Sequence, residues 1–264
     1  MPSLSSVYIY ESSGLPEYNI EEIIKYISKV YPKAKVEKRK EFFSFWQNQN
    51  SSFDIDDLAK EITLCRVHNV NQEAKEFSPL PLEIDYEKKR LEGKKALQGL
   101  IYDGFKLQVL FQKLLSSGEN KLSACHMIFS DQLIASFDED DKRYHLRVGI
   151  YGYPNLISAS GLVEALAKPR EYYFKIQMGI DPLTAKKEFG DGIIDYDDQR
   201  ATELLKGYCL QAIFYQITGD PFCGDKGCRL YNAHWQKDAL FAQIESGYEF
   251  CSRHSKVINN WQKS

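Results

Sequence analysis

The segment "AIFYQITGDPFCGDKGC", Ala212–Cys228, changes within a few residues from a helical pattern to a turn-rich one. Its first half is apolar at helical spacing and ends at Gly219, a residue suited to the left-handed position that closes many helices. Its second half contains two cysteines five positions apart, with Gly224 and Gly227 between them. Such a pair is typical of a structural metal site, because one flexible turn can present both thiolates.

The upstream sequence "DDQRATELLKGYCLQAIFYQITG" predicts one long helix, with Asp197 or Asp198 as its N-cap. Apolar residues recur along it at the helical period and predict a single stripe facing a core. They are Ala201, Leu204, Leu205, Cys209, Ala212, Ile213 and Ile217. Because Cys209 belongs to this stripe, we do not expect it to be a reactive thiol.

A second short pair, Cys251 and His254 in "FCSRH", follows Cys228 after 22 intervening residues. Together with Cys223, these residues predict a closed tetrahedral site for one Zn²⁺. His234, six residues after Cys228, is the alternative fourth ligand. Four protein ligands leave no coordination position for water, so we expect the zinc to fasten the C-terminal segment to the core.

This part of the chain resembles the signature of the archaemetzincins, metallopeptidases of the metzincin group. Their site helix carries H-E-x-x-H-x-x-G-x-x-H, followed by Cys-x4-Cys and a later Cys-x2-Cys. Aligning the two cysteines places Gly219 on the glycine of the signature without a gap. The zinc-ligand positions of the family then fall on Ala212, Gln216 and Phe222, and the general-base position falls on Ile213.

The resemblance implies a zincin-like α+β domain with a mixed sheet, a long site helix and a C-terminal zinc segment. A hydrolytic zinc needs three protein ligands, an open position for water and a carboxylate that accepts its proton. The apolar residues at the aligned positions supply none of these. Leu230 replaces the family methionine, and His254 replaces the last cysteine of the signature. The sequence therefore predicts a catalytically inactive protein with one structural zinc, acting as a binding or structural module.

Sequence near the N-terminus predicts a parallel βαβ unit. Ser6–Tyr10 and "AKVEKR" have strand patterns, and the helix between them has Asn19 as its N-cap and Glu22 at the capping-box position. Farther along, "LIASF" and "YHLRVGIYGYP" predict an antiparallel hairpin around the acidic tip "DEDDKR". The βαβ unit favours a mixed or parallel sheet, and this order of elements is compatible with the α+β domain that the resemblance implies.

We expect residues 1–218 to form the core and residues 219–264 to form a zinc segment packed on it, within one compact domain. The chain is also similar to an archaeal group labelled as metallopeptidases, through "YGYPNLIS", "AKPREYY" and "YNAHW". That similarity leaves an alternative open, either an enzyme with other polar residues in the same cleft, such as a hydrolase, or a metallopeptidase with unrecognised ligands.

The polar residues for that alternative come mainly from "VEALAKPREYYF". The segment is interpreted either as an edge strand with solvated charges or as one wall of a polar site. The candidate residues are His145, Glu164, Lys168, Arg170 and Tyr172. His145 and His126 both lie in predicted strands without a nearby metal-type partner, so sheet residues with satisfied hydrogen bonds are the simpler interpretation.

Charge and hydropathy narrow the class of partner. The formal net charge is −3 and no basic stripe is evident, which argues against nucleic acid. No apolar run is long enough to span a bilayer, and "MPSLSSVYIYESSG" lacks the basic and apolar regions of a signal peptide. We therefore expect a cytoplasmic protein whose partner, if it has one, is a protein or peptide.

Overall fold

The computed structural model describes residues 3–12, 14, 16–47, 49, 54–73, 77–94 and 99–263. Within them the strands are β1 (Ser6–Tyr10), β2 (Lys35–Arg39), β3 (Ile101–Asp103), β4 (Ala124–Ser130), β5 (Leu133–Asp138), β6 (Arg143–Arg147), β7 (Gly149–Ile150) and β8 (Asn155–Ser158). The helices are α1 (Ile20–Val30), α2 (Phe42–Gln47), α3 (Ile55–Thr63), α4 (Pro81–Leu91), α5 (Gly104–Leu114), α6 (Ala159–Glu164), α7 (Arg170–Gln177), α8 (Pro182–Lys187), α9 (Ala201–Thr218), α10 (Gln236–Leu240) and α11 (Ser252–Lys263). The mixture confirms the α+β class.

A five-stranded sheet in the order β2-β1-β4-β8-β7 forms the centre of the molecule. Its first four strands are parallel, and β7 is antiparallel to β8 at one edge. The predicted βαβ unit is confirmed: β1 pairs with β2 in parallel, and α1 connects them. The side chain of Asn19 caps α1 by accepting hydrogen bonds from the backbone N–H groups of Glu21 and Glu22.

A smaller sheet has the order β3-β5-β6 and contains the predicted hairpin, because β5 and β6 are antiparallel. The hairpin's second strand is shorter than "YHLRVGIYGYP" indicates. The chain leaves the small sheet after Arg147, and Gly149 and Ile150 pair with β8 of the large sheet instead. The alternating pattern continues across Val148, so the sequence carries no sign that the chain passes from one sheet to the other.

Helix α9 is surrounded by protein. Twelve of its eighteen residues are buried, and they lie on every side of the helix. The prediction of a single apolar stripe is therefore wrong, because α1, the large sheet and the C-terminal segment all pack around α9. The predicted start is also too early: Asp198 accepts a hydrogen bond from the N–H of Arg200, and the helix begins at Ala201.

In the described ranges, no helix is both long and apolar enough to cross a membrane.

Gly219 ends α9 in the left-handed region, with φ 76°, and its N–H donates to the carbonyl of Tyr215. We expect Gly219→Ala to lower the free energy of unfolding by about 1 kcal/mol, since a Cβ disfavours this conformation. Gly118→Ala is the control, because Gly118 lacks a positive φ and its added Cβ meets no atom within 4 Å. Urea denaturation measures both; equal effects would contradict the assignment of a conformational role to Gly219.

Candidate metal centre and cavity

Four side chains near the C-terminus converge on one point: Cys223, Cys228, Cys251 and His254. Their ligand atoms all lie within 4.8 Å of one another. The Sγ atoms of Cys223 and Cys251 are 3.8 Å apart. His254 Nδ1 lies 3.4 Å from Cys228 Sγ and 3.3 Å from Cys251 Sγ. In a tetrahedral zinc site, Zn–S and Zn–N bond lengths imply separations of about 3.8 Å between sulfurs and about 3.6 Å between sulfur and nitrogen. The residues therefore fit a Zn²⁺ ion.

Turns of the backbone hold the thiols in this arrangement. The N–H of Cys223 donates to the carbonyl of Leu230, and the N–H of Cys228 donates to that of Asp225. The N–H of Asp225 in turn points to Cys223 Sγ at 3.4 Å. Burial raises the pKa of the Cys228 thiol to about 12. A metal ion binds the thiolate form of cysteine and would stabilise its negative charge. The buried thiolate of Cys228 is therefore more stable with a bound cation than without one.

His254 connects the group of four candidate ligands to the core. Its buried ring packs edge-on against Phe214 of α9, with ring centroids 5.2 Å apart. One face of α11 continues this contact: Trp261 lies 4.6 Å from Phe214 and 5.1 Å from Tyr31, again between ring centroids. His234 is not in the cluster; it is exposed and lines a separate cavity. Among the described residues, His254 is thus the histidine placed to complete the set.

A cavity of about 440 Å³ lies between the edge strand β7 and helix α9. The chain segments 146–151, 208–215 and 221–222 form its walls, and the loop 232–234 closes one end. Helix α9 presents Tyr208, Gln211 and Tyr215 to it, residues that are three and four positions apart and so share one side of a helix. The cavity therefore borders a side of α9 that carries two tyrosines and a glutamine.

Hydrogen bonds fix the floor of this cavity. The hydroxyl of Tyr151 donates to Gln211 Oε1 at 2.6 Å, and Gln211 Nε2 donates to the carbonyl of Tyr231 at 3.1 Å. The rings of Tyr215 and Phe222 lie 6.3 and 5.9 Å from the ring of Tyr151 and form an aromatic wall. Because both ends of the Gln211 amide are bonded within the protein, Gln211 supports the floor and is not available as a metal ligand.

Arg147 carries the one fixed charge among the described residues that line the cavity. Its Nε donates to Ser136 Oγ at 2.9 Å. These lining residues include no aspartate, glutamate or cysteine, and His234 is their single histidine. They therefore supply neither a three-ligand zinc site nor a carboxylate base.

Comparison with protein-family models matches residues 3–261 to the "Probable metallopeptidase family (DUF6775)". The chain belongs to this family. The match supports the metallopeptidase relationship predicted from sequence, and it does not extend to the archaemetzincins in particular. Searches of curated proteins and of solved structures return no match.

Within this metallopeptidase-family chain, three of the four positions aligned with the archaemetzincin signature lie away from the cavity. Ala212 and Ile213 are fully buried in the main core. The amide nitrogen of Gln216 donates to the carbonyls of Leu122 and Ala124, at the start of β4. Phe222 alone of the four lines the cavity.

The five residues of the alternative polar site do not line this cavity, and the structure does not bring all five together. His145 lies on β6, where its Nε2 is 3.0 Å from a carboxylate oxygen of Asp141. Lys168 donates to the carbonyl of Val163 at 2.6 Å and lies 3.9 Å from Glu164. Arg170 is exposed at the start of α7, and Tyr172 is buried on the same helix. The edge-strand interpretation of "VEALAKPREYYF" is wrong, because its residues belong to helices α6 and α7 and the loop between them.

The sequence reasoning missed Arg147, Tyr151 and Gln211. A usable signal was present on α9, where Tyr208, Gln211 and Tyr215 recur within its largely apolar central part. At spacings of three and four they mark one side of the helix. His126, by contrast, is the satisfied sheet residue that was expected, with Nδ1 3.2 Å from Tyr10 Oη and Nε2 3.1 Å from the carbonyl of Glu119.

Proposed function

We propose that this chain is a non-hydrolytic, zincin-like member of its metallopeptidase family. In this proposal the cavity beside β7 binds an extended peptide, and one Zn²⁺ held by the Cys3His cluster has a structural role. The observation that carries the proposal is that the candidate metal ligands and the cavity are formed by different residues. The described residues contain one cluster suited to a metal ion, and none of its members lines the cavity.

The zincin-like assignment is supported by the arrangement of β7, α9 and the cavity. Four parallel strands end in one antiparallel edge strand, and a long helix lies against the sheet with the cavity between them. A mixed sheet and a long helix are two of the features that the resemblance to archaemetzincins implies. The helix also ends at a left-handed glycine directly before the cysteine turn, as the signature requires.

Strand β7 supports a peptide as the ligand. The carbonyl of Val148 accepts from the N–H of Ser158, so at this position the backbone groups point toward β8. Backbone groups of alternate residues in an antiparallel strand point to opposite edges, which directs those of Gly149 away from β8. Gly149 also lines the cavity. An extended peptide can therefore pair with this edge while its side chains contact the aromatic wall.

A zinc ion in the Cys3His cluster would have all four coordination positions filled by protein ligands, so no position would remain for water. Around the cavity, the described lining residues provide no carboxylate that could accept a proton from water. Binding without hydrolysis is the function that these two features support.

Metal analysis combined with a cleavage assay tests this proposal. We expect one zinc per chain by mass spectrometry and no cleavage of a mixed peptide library by the zinc-loaded protein, with an active zinc peptidase as the positive control. Two zincs per chain, or cleavage that a chelator abolishes, would overturn the proposal in favour of unrecognised metal ligands. Cleavage that persists with chelator would favour an enzyme using other polar residues.

A further inference from the structure

We infer that the cavity beside β7 recognises a peptide carboxylate through Arg147. The inference rests on the proposed function, because it names the chemical group of the peptide that the cavity would select. It comes from the position, the bonding and the surroundings of one half-buried guanidinium.

Arg147 is the last residue of β6, at the point where the chain passes toward β7. Its Nε is bonded to Ser136 Oγ at 2.9 Å, and both residues line the cavity. A guanidinium has five N–H donors, and this bond uses one of them. Among the described residues no carboxylate lies within ion-pair distance of Arg147, although Asp138 interacts with it electrostatically at longer range. The planar pair of terminal nitrogens therefore remains for a ligand.

This bonding differs from that of the other arginines that are buried or half-buried in the described ranges. Each of those five forms a close ion pair with a carboxylate of the protein: Arg39, Arg66, Arg90, Arg200 and Arg229. A guanidinium that is partly removed from water without an anion loses solvation that its neighbours do not replace. An incoming carboxylate would compensate for the lost hydration by forming two parallel hydrogen bonds with the guanidinium.

The cavity is otherwise suited to an anion next to an apolar group. Its described lining has no acidic side chain to repel a carboxylate, and His234 lies at the end of the same space. The rings of Tyr215 and Phe222 provide an apolar surface for the neighbouring side chain of the peptide. A peptide presents a carboxylate either at its C-terminus or on an aspartate or glutamate, and both have the chemistry that Arg147 recognises.

Affinity selection with three matched sets of N-acetylated hexapeptides separates these sources. One set ends in a free carboxylate, one ends in an amide, and one ends in an amide but contains a single glutamate. We expect the wild-type protein to retain peptides from the first set, the third set or both, at least tenfold more tightly than the uncharged amides. The set that is retained identifies the source of the carboxylate.

Arg147→Gln tests the residue. We expect it to lose about tenfold or more in affinity for the retained carboxylate peptides, with Arg147→Lys intermediate because a lysine keeps the charge but not the planar fork. Arg143→Gln is the matched control: it makes the same change of charge on the same strand, on an exposed side chain that does not line the cavity. Thermal melts of all three variants verify folding.

The possible failures are distinguishable. If acids and amides bind equally and Arg147→Gln changes nothing, the role of Arg147 is wrong while peptide binding stands. If the wild-type protein retains no peptide from any set, peptide binding itself is contradicted, and the role of Arg147 with it.

Discussion

Replacing Cys228 with serine is expected to abolish zinc binding and to lower the melting temperature by about 10 °C. Cys228 is fully buried, and its Sγ is one of four ligand atoms in the cluster. Zinc that binds the folded chain alone stabilises it by about 4 kcal/mol when free zinc exceeds the dissociation constant a thousandfold. In a chain of this size each kcal/mol shifts the melting temperature by about 2–4 °C.

Loss of the zinc is expected to affect helix α11 along its length as well as the ligand residues. His254 packs on Phe214, and the same helix places Trp261 against Phe214 and Tyr31. Without the ion, α11 keeps these apolar contacts but loses the fixed point at its N-terminal end. We therefore expect the residues of α11 to exchange their amide hydrogens faster in Cys228→Ser.

Zinc content by mass spectrometry and thermal melts with and without a strong chelator measure the effect. Chelator should bring the wild-type protein down to the melting temperature of Cys228→Ser and leave the variant unchanged. His234→Ala is the control, because His234 is exposed and outside the cluster. A Cys228→Ser protein that still carries one zinc would contradict the ligand assignment, and an unchanged melting temperature would contradict the structural role.

Replacing Glu87 with alanine is expected to lower the free energy of unfolding by about 3–5 kcal/mol, the range for breaking one side of a buried ion pair. The carboxylate of Glu87 is fully buried on α4. It accepts hydrogen bonds from Arg66 at 2.5 and 2.8 Å, from Arg90 at 2.8 Å and from the hydroxyl of Tyr102 at 2.7 Å. Its removal would leave the guanidiniums of Arg66 and Arg90, both largely removed from water, without the carboxylate that they share.

The matched control lies half a turn away on the same helix. Asp85 pairs with Lys89 at 2.6 Å, but both side chains are about half exposed, so Asp85→Ala should change stability by about 0.5 kcal/mol or less. Urea denaturation compares the two variants directly. Similar small losses for both would show that solvent compensates for Glu87, and the buried network would then have no special role in stability.

The sequence predicted those parts of the fold that depend on short-range patterns. The cap at Asn19, the left-handed turn at Gly219 and the β5–β6 hairpin all follow from residue types within a few positions of one another. The convergence of the four candidate ligand residues was predictable for a similar reason, because two short pairs limit how these side chains can meet.

The remaining features depend on contacts between distant parts of the chain. The passage from the small sheet to the large one at Val148 leaves the alternating pattern intact, so the pattern cannot reveal it. The burial of α9 on all sides depends on elements separated by up to two hundred residues, including α1. Arg147 enters the candidate site because of that same passage between sheets, and nothing in its neighbourhood in sequence marks it.

The orientation of α9 also bears on how a hydrolytic centre could be built in this fold. Histidines introduced at the aligned positions Ala212 and Gln216 would not meet in the cavity, because Ala212 is sealed in the core. Gln211 and Tyr215 are four residues apart on the side of the helix that borders the cavity. Metal ligands meant to face the cavity would therefore be introduced at Gln211 and Tyr215, one position before each aligned residue. The angular setting of one helix thus decides which of its positions could supply ligands to the cavity.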